Sequence, residues 1–175
     1  MRFLLLAVLN IGLFLSLNSC WPTSISFVDK GSMPEDWHFF SLKTLENNAP
    51  NAPLSYSANL SEAIKDGVQN NTKLKINTTP NSGEVQVEGM ITNYSVSPIA
   101  LQAGDVAAKN RFTISTNFTI YIKVPDKEVE EMKLSSSRFF DFDSNSEFTS
   151  VEASLIEEIN KQIVQDVINK LLSNW

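Results

Sequence analysis

The chain has 175 residues, of which 42% are hydrophobic and 19% charged, and its formal net charge is −6. This composition excludes collagen-like, low-complexity and wholly disordered chains, which have distorted glycine, proline or apolar fractions. The negative charge argues against nucleic acid as a partner, because an acidic surface is repelled by a polyanion. One Cys and one His form neither an internal disulfide nor an imidazole metal cage.

The first nineteen residues are typical of a bacterial lipoprotein signal peptide. Arg2 precedes the apolar run FLLLAVLNIGLFL, which fits a secretory signal and is too short for a stable transmembrane helix. Leu17 lies three positions before Cys20, and a small residue directly precedes the Cys, a pattern that resembles the lipobox. The alternative is an ordinary signal peptide with a chance Cys. We expect cleavage before Cys20 and acylation of its thiol.

This lipidation would decide where the protein resides, because two or three acyl chains hold a protein on a bilayer. Trp21 follows the Cys where the best-known signal for inner-membrane retention has Asp, so we expect an envelope lipoprotein. The sequence divides into a signal peptide (1–19), a lipidated tether (20–35) and a single domain (36–175).

Strands and helices of this domain are predicted in chain order from the period of the apolar residues. The aromatic segment 37–45 predicts a strand, and the spacing of Leu60, Ile64 and Val68 predicts a helix over 57–69. Strands follow over 74–77 and 84–96. Within the latter, the apolar parity changes near position 92, which predicts a bulge.

The clearest pattern covers 112–124, where apolar and polar residues alternate strictly and predict a long strand. A turn at 125–127 would return the chain antiparallel over 128–142. We predict the register in which apolar residues oppose apolar ones. In that register Phe112 faces Phe140, Phe118 faces Leu134, Ile120 faces Met132, Arg111 faces Asp141 and Ile114 faces Arg138.

The chain ends in a predicted helix over 150–173. Thr149 and Glu152 fit a capping box at its start, and Asp166 precedes Lys170 by four residues, as in an ion pair along a helix. The predicted fold class is α+β, with two helices packed on one face of a mostly antiparallel sheet of about four to five strands.

No motif in the sequence predicts catalysis, so we expect no enzyme. His38 has no thiol to activate, and no Gly-rich phosphate loop or nucleophile elbow is present. The spacing of acidic residues from Asp141 to Glu152 is similar to a calcium loop, but Ser146 stands where such a loop needs Gly. We interpret this segment as a polar loop and predict no metal site.

Lys109, Arg111 and Arg138 are the candidate binding residues, because they fall near one end of the predicted hairpin. One interpretation is structural ion pairing, with Arg111 on Asp141 and a carboxylate required by Arg138. The other is an anion-binding patch. The Ser, Thr and Asn residues on the polar side of the strand 112–124 likewise face either water or a polar surface such as the interior of a barrel.

Four stretches of the sequence are characteristic: EGMITNY at 88–94, AAKNRFTI at 107–114, SRFFDFD at 137–143 and the C-terminal segment from 154 to 175. They resemble the LptE family, lipoproteins that assist lipopolysaccharide assembly at the Gram-negative outer membrane. Together with the lipobox, they extend over almost the whole chain. AAKNR and SRFFDFD are the more specific ones.

The resemblance implies an LptE-like α/β sandwich, anchored by Cys20 on the periplasmic side of the outer membrane. It implies a plug inside the β-barrel LptD, which helps the barrel assemble and deliver lipopolysaccharide, with the covalent lipid as the only added group. Lys109, Arg111 and Arg138 would then contact lipopolysaccharide or the partner, and changing all three to Ala should weaken assembly without unfolding the domain. The alternative is a free-standing envelope lipoprotein that binds an amphiphile or scaffolds another envelope complex.

Overall fold

The computed structural model describes residues 33–79, 81–99 and 109–172. The predicted signal peptide, Cys20 and most of the tether lie outside these residues. The described part contains six strands and two helices. They are β1 (Phe39–Leu42), β2 (Glu46–Asn47), α1 (Tyr56–Asn71), β3 (Lys75–Ile76), β4 (Val85–Ile99), β5 (Lys109–Ile122), β6 (Glu130–Asp143) and α2 (Phe148–Leu172).

All six strands form one sheet in the order β3-β1-β4-β5-β6, with β2 also paired to β4. The long strands β4, β5 and β6 are antiparallel, whereas the short strands β1, β2 and β3 pair in parallel. The predicted α+β class with a mostly antiparallel sheet is confirmed. The sheet has one strand more than predicted. The segment 37–45 contains only the short strand β1, and a second short strand, β2, follows it and also pairs with β4.

The register of the β5–β6 hairpin is the predicted one. Phe112 pairs with Phe140, and Arg111 with Asp141. The predicted bulge is also present, because the β4–β5 register shifts between Ile91 and Asn93. Local alternation of side chains was sufficient for both predictions, since a slip by one residue would turn every apolar side chain to the wrong face.

Both helices pack on the same face of the sheet, as predicted. The even-numbered apolar residues of β5 are buried beneath them, with Phe112, Ile114 and Ile120 fully inaccessible. Each helix contributes a stripe at intervals of three to four residues. The stripe of α1 is Leu60, Ile64 and Val68, and that of α2 is Leu155, Ile159, Ile163, Val167 and Leu171. Among the described residues, no helix has the length and hydrophobicity needed to cross a membrane.

The predicted capping box at the start of α2 is wrong. The helix begins at Phe148, so Thr149 already lies inside it. The carboxylate of Glu152 instead accepts a hydrogen bond from the hydroxyl of Tyr94 on β4. The Glu152 carboxylate therefore bonds a residue distant in sequence and not the backbone at the start of its own helix.

Candidate functional site

One face of the β5–β6 hairpin, which we call the open face, is turned away from the helices. It consists of Thr113, Ser115, Asn117 and Thr119 of β5 with Ser135 and Ser137 of β6, all exposed or half-buried. Polar groups pair across the two strands, with Ser115 Oγ 2.9 Å from Ser137 Oγ, and with Ser135 donating to Asn117 Oδ1 at 2.8 Å. These bonds order the side chains of a surface rich in hydroxyl groups.

At the far end of the open face, Arg111 is held by the neighbouring strand. Its Nε lies 2.7 Å from Asp141 Oδ1 and its Nη2 lies 2.9 Å from Oδ2, so the pair is bidentate. The guanidinium carbon also lies 3.7 Å from the centre of the Phe139 ring. The Arg111 hydrogen bond is the main cause that lowers the pKa of Asp141. This cross-strand pair is the one that the predicted register required.

Arg138 points to the opposite side of the sheet. Its Nε donates to Asp166 Oδ2 at 2.8 Å and its Nη2 bonds the other oxygen, while the hydroxyl of Ser136 also donates to this carboxylate. Burial opposes ionisation of Asp166, but the bonds from Arg138 and Ser136 outweigh it and leave the pKa lowered. The carboxylate expected beside Arg138 is thus Asp166 of α2, which the sequence pattern had assigned to Lys170.

The three predicted cations therefore divide between the two faces. Lys109 is exposed and shares the side-chain parity of Arg111 on β5, so these two lie together at the end of the open face. Arg138 belongs to the helix-covered side, where it joins β6 to α2. An anion that approaches the open face meets Lys109 and Arg111 and not Arg138.

The other residues considered for chemistry have structural partners. The backbone N–H of the exposed His38 donates to Glu84 Oε2 at 3.1 Å. In the acidic loop, Asp143 Oδ1 accepts from the backbone N–H of Asn145 at 2.8 Å, which is a local turn contact. Within the described ranges, no group of three or more His, Cys, Asp or Glu side chains is arranged to hold a metal ion.

Sequence reasoning did not find a cluster of aromatic residues between β4 and the helices. The rings of Tyr56 and Tyr94 meet edge to face with centres 5.5 Å apart, and the Tyr56 hydroxyl donates to Asn160 Oδ1 at 2.7 Å. Burial raises the pKa of both phenols above its ordinary value. The alternation along β4 places Tyr94 on the apolar side of the strand. This position predicts that the ring is buried, but it does not predict that the ring contacts Tyr56.

The described apolar side chains between sheet and helices form one continuous packed core. A groove of about 250 Å³ lies on the outside of the helix pair, lined by Ala63, Glu157, Asn160, Lys161 and Val164. It is a surface feature of α1 and α2, not a chamber between the layers.

These features define a two-layer α+β domain with one sheet face covered by helices and one open, hydroxyl-rich face. The model of the LptE family, described as lipopolysaccharide-assembly, matches residues 42–171. The chain therefore belongs to the LptE family. Among curated protein sequences, none matches the chain.

Solved structures of similar fold come from several bacteria. Protein XCC0632 from Xanthomonas campestris matches with a TM-score of 0.54 and 13% identity, over 81% of this chain and 87% of its own. Protein CT253 from Chlamydia trachomatis matches with a TM-score of 0.51 and 13% identity, over 79% of this chain and 99% of its own. A neuraminyllactose-binding hemagglutinin homolog from Helicobacter pylori matches with a TM-score of 0.53 and 8% identity, over 80% of this chain and 86% of its own. At these identities the likeness shows the fold alone.

Proposed function

We propose that this chain is a non-catalytic lipoprotein of the outer membrane, anchored through Cys20 on the periplasmic side. It plugs an LptD-type β-barrel and helps that barrel assemble for the transport of lipopolysaccharide to the cell surface. Membership of a lipopolysaccharide-assembly family carries the proposal. The chain needs no cofactor for this role beyond the covalent lipid.

The open face supports the plug role. The interior of an outer-membrane barrel is polar, and a partner that lies inside it needs a surface that exchanges hydrogen bonds without burying unpaired charge. The hydroxyl and amide groups of Ser115, Asn117, Ser135 and Ser137 form such a surface.

Lys109 and Arg111 are the proposed contacts to phosphate groups of lipopolysaccharide. Lys109 is exposed, and 37% of the Arg111 side chain remains accessible beside Asp141. We assign Arg138 a different part in the same function. It fixes the edge strand to α2 and so keeps the shape of the surface that meets the partner.

A free-standing lipoprotein that binds an amphiphile is the second candidate. Its supporting observation is the groove along α1 and α2, whose floor includes the apolar side chains of Ala63 and Val164. A ligand chamber of roughly 300 Å³ or more between sheet and helices would have favoured it further. The packed layer of the described core favours the plug instead.

The deciding experiment purifies the tagged full-length protein from its own membranes in mild detergent. A photo-reactive residue at Asn117 on the open face is compared with one at Glu158, which is exposed on α2. We expect a near-stoichiometric β-barrel protein that cross-links from Asn117 and not from Glu158.

Recovery of the acylated protein alone, with no cross-link from either position, would reject the plug role and favour the free-standing lipoprotein. Cross-linking to the barrel from Glu158 only would reject the open face as the contact and move it to the helices. Mass spectrometry of the purified protein tests acylation of Cys20 separately.

A further inference from the structure

The chain enters the fold at the end of the sheet that carries the β5–β6 turn, which we call the turn end. Trp37 is buried here, with 4% of its surface accessible, and the carboxylate of Asp36 pairs with Lys127 in the turn. The thirteen residues 20–32 that precede the described part span at most about 45 Å when fully extended. The opposite end of β5, a strand of 14 residues, lies roughly another 45 Å away. An anchor at Cys20 therefore holds the turn end closest to a bilayer.

Two lysines without an ionic partner lie at one corner of the turn end. Lys75 pairs with Phe39 where β3 and β1 begin, and Lys73 precedes it by two residues. Both lysines are exposed, and neither forms an ion pair with another residue that the structure describes. Phe39 is 42% accessible. The corner thus combines two free ammonium groups with an accessible aromatic ring.

The acidic groups of the turn end are arranged differently. The carboxylate of Glu84 accepts hydrogen bonds from the backbone N–H groups of His38 and Phe39, at 3.1 and 2.7 Å. The exposed Glu128 and Glu130 lie at the other corner, where β6 begins. An anionic surface that meets the turn end is therefore attracted at the β3 corner and repelled at the β6 corner.

We propose that the basic corner, formed by Phe39, Lys73 and Lys75, rests on the anionic phospholipid headgroups of the membrane that holds the chain. The contact depends on the anchoring through Cys20 proposed above. It uses β1 and β3, which the open face does not include, so the lipid and the barrel do not compete for the same residues. Basic side chains near a bilayer are attracted to anionic headgroups, and aromatic rings lie favourably at the boundary between headgroups and acyl chains.

Fluorescence quenching in vesicles tests the contact. The acylated full-length protein is reconstituted in phosphatidylethanolamine vesicles that contain phosphatidylglycerol and a quencher linked to lipid headgroups. A fluorophore is attached at Asn70→Cys, three residues before Lys73, or at Asn59→Cys, which is also exposed on α1. The two positions lie about 17 Å apart along the helix. Acylation of Cys20 blocks its thiol, so the new Cys is the reactive one. We expect strong quenching at position 70 and little at position 59.

Removal of the charges separates the headgroup contact from the anchoring itself. Lys73→Gln combined with Lys75→Gln should abolish most of the quenching at position 70, because each lysine near an anionic bilayer favours the contact about fivefold. Lys133→Gln combined with Lys161→Gln removes the same charge from exposed positions outside the corner and should leave the quenching unchanged. In vesicles without phosphatidylglycerol, the unsubstituted corner should lose its quenching too, and this comparison needs no variant of the lysines.

Equal quenching at positions 70 and 59, quenching that survives the loss of both corner lysines, or an equal loss in the control variant would each overturn the proposal. Mass spectrometry of the same preparation reports acylation of Cys20, and co-purification of the barrel tests the plug role separately. Acylated protein without quenching at position 70 rejects the lipid contact alone. Protein without an acyl chain rejects the anchor and the lipid contact with it. Circular dichroism verifies that the substituted chains are folded.

Discussion

The guanidinium of Arg138 on β6 forms a bidentate ion pair with the carboxylate of Asp166 on α2. The pair joins the edge strand of the sheet to the C-terminal helix across 28 positions of sequence. The Asp166 side chain is only 15% accessible, whereas that of Arg138 is 41% accessible. Loss of Arg138 would therefore leave a largely buried carboxylate without its cation, whereas loss of the Asp166 charge leaves an Arg138 side chain that water can partly reach.

Replacing Asp166 by Asn should destabilise the fold by about 1–2 kcal/mol, because hydrogen bonds to charged groups are stronger than neutral ones and exposure of Arg138 reduces the effect. Urea unfolding measures the change. Glu157→Gln removes an exposed ion pair with Lys161 on the same helix and should cost less than about 0.5 kcal/mol. Equal losses in the two variants would contradict a special role for the Asp166 pair.

Stability should fall in acid partly through Asp166. Its pKa is lowered in the folded state, so folding favours the ionised carboxylate. The resulting stabilisation is present above the unfolded pKa of about 4 and is lost as the pH falls through that value towards the lowered one. The free energy of unfolding between pH 6 and pH 2 should thus decline less steeply in Asp166→Asn than in the unsubstituted chain. Parallel curves would exclude this linkage.

Gly67 of α1 lies directly against Val164 of α2. A Cβ at this position would lie 2.2 Å from Val164 Cγ1, and the branched side chain of Val164 has little freedom to move aside on a helix. Gly67→Ala should therefore cost about 1–3 kcal/mol through overpacking, partly offset by about 1 kcal/mol of helix propensity.

Adding Val164→Ala should recover part of the Gly67→Ala loss, because it removes the atom that clashes. A double-mutant cycle from thermal or urea unfolding measures this coupling. Additive losses would show that the two helices do not meet at these residues.

The Tyr94 hydroxyl is expected to contribute to stability through Glu152. Tyr94 is 4% accessible, and its hydroxyl donates to a carboxylate on α2. Tyr94→Phe should cost about 1–2 kcal/mol, because the buried ring stays while a charge-assisted hydrogen bond is lost. Tyr121→Phe, on the opposite face of the sheet, is the matched control and should lie within about 0.5 kcal/mol of the unsubstituted chain.

Lys109 and Arg111 provide the test of direct contact with lipopolysaccharide. Lys109→Ala combined with Arg111→Ala should raise sensitivity to bile salts and large antibiotics while protein levels stay normal. Arg138 is left unchanged, because its loss would loosen α2 and obscure the result. Lys161→Ala, on an exposed helix position, should have no effect. Normal sensitivity in the Lys109 and Arg111 double variant would reject the phosphate contact.

The sequence by itself determined the long elements and the geometry of the hairpin. Alternation along β5 identified its buried face, and matching Phe112 with Phe140 gave the register that the structure has. The bulge after Ile91 followed from a change of parity. These predictions succeeded because side-chain direction in a strand repeats every two residues and an error of one residue would bury polar groups.

Only the tertiary structure decided the partners of the charged residues on α2. Local spacing assigned Glu152 to a helix cap, but its carboxylate binds Tyr94 instead, and spacing gave no sign that Asp166 binds Arg138. Strand parity had already placed Arg138 opposite Ile114, on the apolar side, and so away from Lys109 and Arg111, but it could not identify Asp166 as the carboxylate that binds Arg138. A polar side chain can bond several nearby partners with similar energy. Which partner it bonds depends on how α2 packs on the sheet, and this packing is set by apolar contacts between residues far apart in sequence.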